Sequence, residues 1–221
     1  MNKRERIVGS GPDRTKLKIF QKLGTVSDAT VEELRKIYLD TDSNDIGTSE
    51  YAITETIDYK NTHNALLSKY RQILMQGKDS AQEMTSAIAI EGRVFIEAES
   101  KYSNWMVDKY TLTNTMSDMS QYFTNVCRFR LSETQADHSI TWHIDTNTSV
   151  MCRGQICLTE DDSLFEFKDR SGVHQLNMKV GELWFINTGW NHRVVAGKIV
   201  RKVAVFSFEF DNLIDPIPLF L

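Results

Sequence analysis

From about residue 125 onward, apolar and polar positions alternate with a period of two. The runs Val126-Cys-Arg-Phe-Arg-Leu, Ile140-Thr-Trp-His-Ile-Asp, Gly154-Gln-Ile-Cys-Leu, Leu164-Phe-Glu-Phe, Val173-His-Gln-Leu-Asn-Met, Leu183-Trp-Phe-Ile and Val203-Ala-Val-Phe-Ser-Phe-Glu-Phe predict strands. They follow one another at intervals of about ten residues, separated by turn signals such as Asp169-Arg-Ser-Gly and Val195-Ala-Gly-Lys. Short strands at that density predict a sandwich or a double-sheet jelly roll. The first half reads differently. Residues 16–25 predict an early strand, and Ser27-Asp-Ala-Thr-Val-Glu-Glu-Leu-Arg-Lys-Ile-Tyr-Leu predicts a capped helix with Leu34, Ile37 and Tyr38 on one face. A helical period returns over residues 60–75, and more helix is expected within 80–124. The fold class expected is therefore α+β. A mainly helical support region (1–124) buttresses a β core (125–212), and a short tail (213–221) follows. No linker rich in Gly, Ser or Pro divides the chain, so one domain is expected.

Composition narrows the function classes. At 221 residues the chain can bury a sizeable core. No stretch approaches the eighteen consecutive apolar residues of a membrane helix, and the charged start Met1-Asn-Lys-Arg-Glu-Arg is unlike a secretory signal. A net charge of −4 offers no electrostatic footprint for nucleic acid. The three cysteines, Cys127, Cys152 and Cys157, form no CxxC pair and suggest neither a disulfide framework nor a structural zinc site. A cytoplasmic protein, bound neither to membrane nor to nucleic acid, is the expectation.

The chemistry-bearing feature is Thr141-Trp-His-Ile-Asp. On a strand, residues two apart share a face. His143 and Asp145 would then project together with Thr141, while Ile140, Trp142 and Ile144 pack on the other side. An imidazole and a carboxylate so placed are two legs of the two-histidine, one-carboxylate facial triad that binds Fe(II) and leaves positions open. A lone HxD also arises on strands by chance, so a third ligand decides its meaning. His192 lies 49 residues beyond His143, just after the apolar strand of Gly181-Glu-Leu-Trp-Phe-Ile-Asn-Thr-Gly-Trp-Asn leaves into a polar loop. Several intervening strands could return it to the HxD pair. His63, His138 and His174 read instead as surface or packed imidazoles. The cysteines read as small buried hydrophobes, not nucleophiles.

Taken in order, Arg128-Phe-Arg-Leu, His143-Ile-Asp, Arg153-Gly-Gln-Ile-Cys-Leu-Thr, Gly181-Glu-Leu-Trp-Phe-Ile-Asn with His192, and Arg201 resemble the aspartyl/asparaginyl β-hydroxylase-like branch of the 2-oxoglutarate/Fe(II) oxygenases, which includes proline cis-hydroxylases. The resemblance covers roughly residues 120–210. It implies a double-stranded β-helix (jelly-roll, cupin-like) core, with Fe(II) held by His143, Asp145 and His192 and with 2-oxoglutarate and O2 as co-substrates. It implies hydroxylation of an amino acid, a peptidyl side chain or another small molecule, with release of succinate and CO2. The carboxylate of Asp145 implies hydroxylation rather than halogenation, since halogenating relatives leave that position open for chloride.

By the same resemblance Arg201 anchors the far carboxylate of 2-oxoglutarate through its bidentate fork. Strand alternation puts Ser207 on its face, beside Val203 and Val205. Arg153 stands where the family places a second polar contact to co-substrate or substrate. The pair Arg128 and Arg130, with Gln155 and Trp190, are candidates for the substrate. Two departures stand out. Gln155 replaces a usual histidine, and Arg201 lies nine residues after His192 where the family has ten, which leaves Lys202 as a rival anchor. Two other readings remain open: a metal-free jelly-roll binding module, and a different metal cupin such as a zinc or manganese isomerase.

Overall fold

The computed structural model describes residues 10–40, 70–77, 99 and 102–221. Its strands are β1 (Phe20–Thr25), β2 (Tyr70–Leu74), β3 (Gln76–Gly77), β4 (Asn104–Trp105), β5 (Cys127–Thr134), β6 (Ile140–His143), β7 (Cys152–Cys157), β8 (Leu164–Lys168), β9 (Val173–Leu176), β10 (Glu182–Ile186), β11 (Asn191–Val195) and β12 (Arg201–Phe208). Two α-helices, α1 (Asp28–Asp40) and α2 (Thr113–Ser120), are described.

The strands form a six-stranded antiparallel sheet in the order β1-β10-β7-β12-β5-β2 and a four-stranded one in the order β6-β11-β8-β9. Their two faces explain the dense apolar runs in the sequence. On β12, Val203 and Val205 join Phe165, Phe167 and Val194 of the smaller sheet in a core between the sheets. Ala204, Phe206 and Phe208 turn the other way, into a second core with Leu34, Ile37 and Tyr38 of α1 and Met119 of α2. Strand β12 is buried on both faces over Val203–Phe208 and is apolar there at every position but Ser207. The two helices lock each other's ends. Glu33 of α1 accepts from the backbone N–H groups of Asn114 (3.1 Å) and Thr115 (2.8 Å) at the start of α2, and Asp118 of α2 accepts from the Ser27 backbone N–H (2.7 Å) and the Thr30 hydroxyl (2.7 Å).

Four expectations change. The helical period over 60–75 does not survive at residues 70–74, which form strand β2 against β5; residues 60–69, with His63, lie outside the described set. Pairing with a neighbouring strand overrides a local helical pattern of this strength. Within 102–124 the helix is confined to α2, and residues 80–98 also lie outside the description. The support region supplies strands as well as helix, since β1 and β2 form the two edges of the large sheet. Finally, the polar segment expected around His192 is a strand, β11. The tail folds back: Leu219 is fully buried and its carbonyl accepts the Lys18 N–H at 2.8 Å.

Candidate metal centre

His143 and His192 stand opposite one another on the paired strands β6 and β11, with ring centroids 4.2 Å apart. Each is oriented by its own chain two residues upstream. His143 Nδ1 lies 2.7 Å from the Thr141 carbonyl, and His192 Nδ1 lies 2.9 Å from the Trp190 carbonyl. A carbonyl only accepts, so each Nδ1 carries a proton, which leaves Nε2 as the nitrogen that a metal would take. Phe165 and Phe167 stack on His192 at 5.7 and 5.9 Å and fix its ring plane. Burial, with the neighbouring His143, pushes the His192 imidazole below its usual pKa and keeps it neutral.

Asp145 follows the end of β6, so strand phase alone does not place it. Its N–H donates to the Thr188 carbonyl at 3.0 Å, and Oδ1 then lies 3.7 Å from His143 Nε2. Donor atoms of His143, Asp145 and His192 all lie within 4.8 Å of one another. Bonds of about 2 Å to one ion at right angles put donors about 3 Å apart, so side-chain shifts of roughly 1–2 Å complete the set. Two imidazoles and one carboxylate suit Fe(II) in a facial arrangement. The His143 and Asp145 side chains remain 40% and 36% exposed, which leaves one side open to other ligands. The opposite face departs from expectation. Ile140 packs against the inter-sheet core, but Trp142 is half-buried beneath the Arg193 guanidinium (4.7 Å) and Ile144 is exposed.

Arg201 and Lys202 face opposite ways. Arg201 is buried between the sheets, donates from Nη2 to Gln155 Oε1 at 2.9 Å, and lies 5.7 Å over the Phe165 ring. It lines a small cavity with Cys157, Ser163, Phe165 and Leu176. Lys202 lies over the Tyr38 ring of α1 and 3.6 Å from Glu133.

Arg153 and Ser207 converge elsewhere, on Glu99. The Arg153 fork meets both Glu99 oxygens, at 2.7 and 2.9 Å, and the Ser207 hydroxyl donates to Glu99 at 2.6 Å and contacts Arg153 Nη1. Arg128, held at φ 52°, donates to the same carboxylate at 2.5 Å, and Arg130 donates to the Arg128 carbonyl at 3.2 Å. Both arginines are buried. Burial raises the Glu99 carboxyl, but the charges of Arg153, Arg128 and Arg130 outweigh it and hold the group well below the carboxylate range. Sequence reasoning did not find Glu99, for a glutamate that belongs to no motif carries no local signal. It also missed Arg14, which stacks 4.8 Å over the Trp190 ring and donates to the Gly189 carbonyl. Trp190 is thus covered by Arg14, and its indole N–H has no hydrogen-bond partner among the described residues. His174 bonds Asp169 and Ser171 in a turn, and His138 sits in the turn before β6. The cysteines are buried and free; burial pushes the Cys127 and Cys152 thiols up to about 12 and raises Cys157 too, which disfavours the nucleophilic thiolate. No described helix is long and apolar enough to cross a membrane.

No protein-family model and no curated protein matches the chain. Solved structures are similar to it at low identity. An oxidoreductase of the 2OG-Fe(II) oxygenase family from Burkholderia pseudomallei is similar at 13% identity, over 80% of this chain and 96% of that one, with a TM-score of 0.40. A Pseudomonas putida prolyl-4-hydroxylase is similar at 10% identity over 86% and 92%, with a TM-score of 0.42. HygX from Streptomyces hygroscopicus, solved with nickel and 2-oxoglutarate bound, is similar at 10% identity over 86% and 82%, with a TM-score of 0.45. These are distant likenesses, and the functional reading rests on the donor set.

Proposed function

We propose that this chain is a non-heme Fe(II)- and 2-oxoglutarate-dependent oxygenase that hydroxylates a small molecule or a peptidyl side chain. The observation that carries the reading is the meeting of His143, Asp145 and His192 at one open-sided point. The strand order supports it. From β5 to β12 the chain alternates between the sheets, broken once by the β8–β9 hairpin, which suits one eight-stranded double-stranded β-helix within a single domain.

In this reading His143, Asp145 and His192 hold iron, and Arg201 holds the far carboxylate of 2-oxoglutarate, with Lys202 excluded from the interior by its place against α1. Iron, when bound, couples the oxidation of 2-oxoglutarate to succinate and CO2 by O2 with insertion of one oxygen atom into a substrate C–H bond. The chain contributes the rest. The carbonyls of Thr141 and Trp190 set the imidazole tautomers, Phe165 and Phe167 exclude water from His192, and the exposed side of His143 and Asp145 admits substrate.

The test is succinate release from 2-oxoglutarate by the purified protein with Fe(II), alone and across a metabolite and peptide panel. Turnover that needs Fe(II) and disappears in Asp145→Ala is expected. Failure to bind any divalent metal would favour a binding module, and metal binding without 2-oxoglutarate turnover would favour another metal enzyme.

A further inference from the structure

We infer that Arg153 is a positioning residue for the Asp145 carboxylate, and that Glu99 and Ser207 hold it in that role. The inference rests on the metal-site reading above and assigns Arg153 a different task from co-substrate contact. The two oxygens of Asp145 are divided. Oδ1 faces His143 Nε2 at 3.7 Å, and Oδ2 faces Arg153 Nε at 3.9 Å. A cation on one oxygen leaves the other for the metal, so the guanidinium selects which oxygen ligates and favours one-point binding.

Arg153 can do this because it cannot turn away. A guanidinium carries five N–H groups in a rigid plane. Nη1 and Nη2 are taken by the two Glu99 oxygens, Nη1 also by Ser207 Oγ, and Nε is the edge left facing Asp145. Arg153 and Glu99 are almost completely buried, at 6% and 3% exposure, so water does not loosen the fork. The one edge not engaged, Nε with the second hydrogen of Nη2, lies on the side of Asp145. Glu99 has a further consequence. Its negative charge offsets that of Arg153, which allows a guanidinium to stand beside a site built for a dication.

Asp145 needs such help more than the histidines do. His143 and His192 each have a ring nitrogen tied to a backbone carbonyl, whereas among the described residues Asp145 is hydrogen-bonded only through its backbone N–H. Its side chain is 36% exposed, and Arg153 is its charged neighbour on the buried side.

The experiment titrates metal-free protein with Co(II), reading affinity and the visible ligand-field spectrum, with circular dichroism and thermal melting as the check on folding. Arg153→Gln is expected to fold, to bind Co(II) on the order of 10- to 100-fold more weakly, as outer-sphere changes do, and to shift the spectrum. Arg153→Lys keeps the charge but loses the fork, and is expected to weaken binding less while still shifting the spectrum. If Arg153→Gln does not fold, Arg153→Lys decides. A folded variant with wild-type Co(II) affinity and an unchanged spectrum overturns the inference. Wild-type protein that binds no Co(II) overturns the metal-site reading itself, a result distinct from the first.

Discussion

Arg201 donates to Gln155 between the two sheets, Nη2 to Oε1 at 2.9 Å, where the family that the sequence resembles has a histidine instead of the glutamine. The amide oxygen accepts from one edge of the guanidinium, which orients it toward the cavity it lines. Removing the charged partner of a buried carboxylate costs about 2–5 kcal/mol. Arg201→Ala should therefore raise the 2-oxoglutarate requirement by roughly a hundredfold, given about 1.4 kcal/mol per tenfold. Lys202→Ala, on the helix-facing side, should change it little. A 2-oxoglutarate titration of succinate release that ranks the two variants the other way would assign the anchor to Lys202.

Loss of a direct ligand should exceed any outer-sphere effect. Asp145→Ala and His192→Ala are each expected to abolish succinate release and to weaken Co(II) binding by more than the ~10–100-fold typical of residues behind the ligands. Both variants should stay folded, since Asp145 is substantially exposed and His192→Ala leaves the β6–β11 ladder intact. Full turnover by either would remove that residue from the ligand set.

Glu99 neutralises buried arginines, and its loss leaves them uncompensated. Glu99→Gln should lower stability by about 3–5 kcal/mol, the usual cost of breaking a buried pair from one side, measured by urea unfolding at pH 7. The sign with pH follows from the lowered carboxyl. A group whose folded pKa is depressed stabilises fully above its unfolded value, near 4.3 for Glu, and loses that stabilisation as the pH falls toward the folded value. The gap between wild type and Glu99→Gln should be full at pH 7 and narrow below about pH 4. A gap that widened in acid would contradict the charge assignment.

Gly154 pairs with Phe206 between β7 and β12, and the Phe206 ring lies over its Cα. A methyl group there would overlap the ring, which is fully buried against Phe129 and Phe123. Gly154→Ala should cost about 1–3 kcal/mol by overpacking. Because this face is turned away from the metal centre, Co(II) affinity of the folded variant should not change. A thermal melt equal to wild type would mean that the core has room that this packing denies.

Period two is a local property, and the sequence determined what depends on it alone. It identified β5 to β10 and β12, and it put Arg201, Val203, Val205 and Ser207 on one face with Lys202, Phe206 and Phe208 on the other, as the structure has them. Which face is the interior was not local, and only the stacking of the small sheet on β12 decided it. Strand β11 escaped because Asn191-His-Arg is polar to the eye, although His192 and Val194 are its buried positions. Segment 70–74 became a strand because β5 offered a paired edge, which a helical period cannot foresee. The centre itself divides in the same way. The HxD spacing was visible, but Asp145 lies beyond the strand and is placed by Thr188, 43 residues later. Glu99 reaches Arg153 across 54 residues with no pattern to announce it. Side-chain alternation follows from backbone geometry and can be read from neighbours in the chain. Charge convergence follows from which strands pair, and that is settled only when the whole sheet forms.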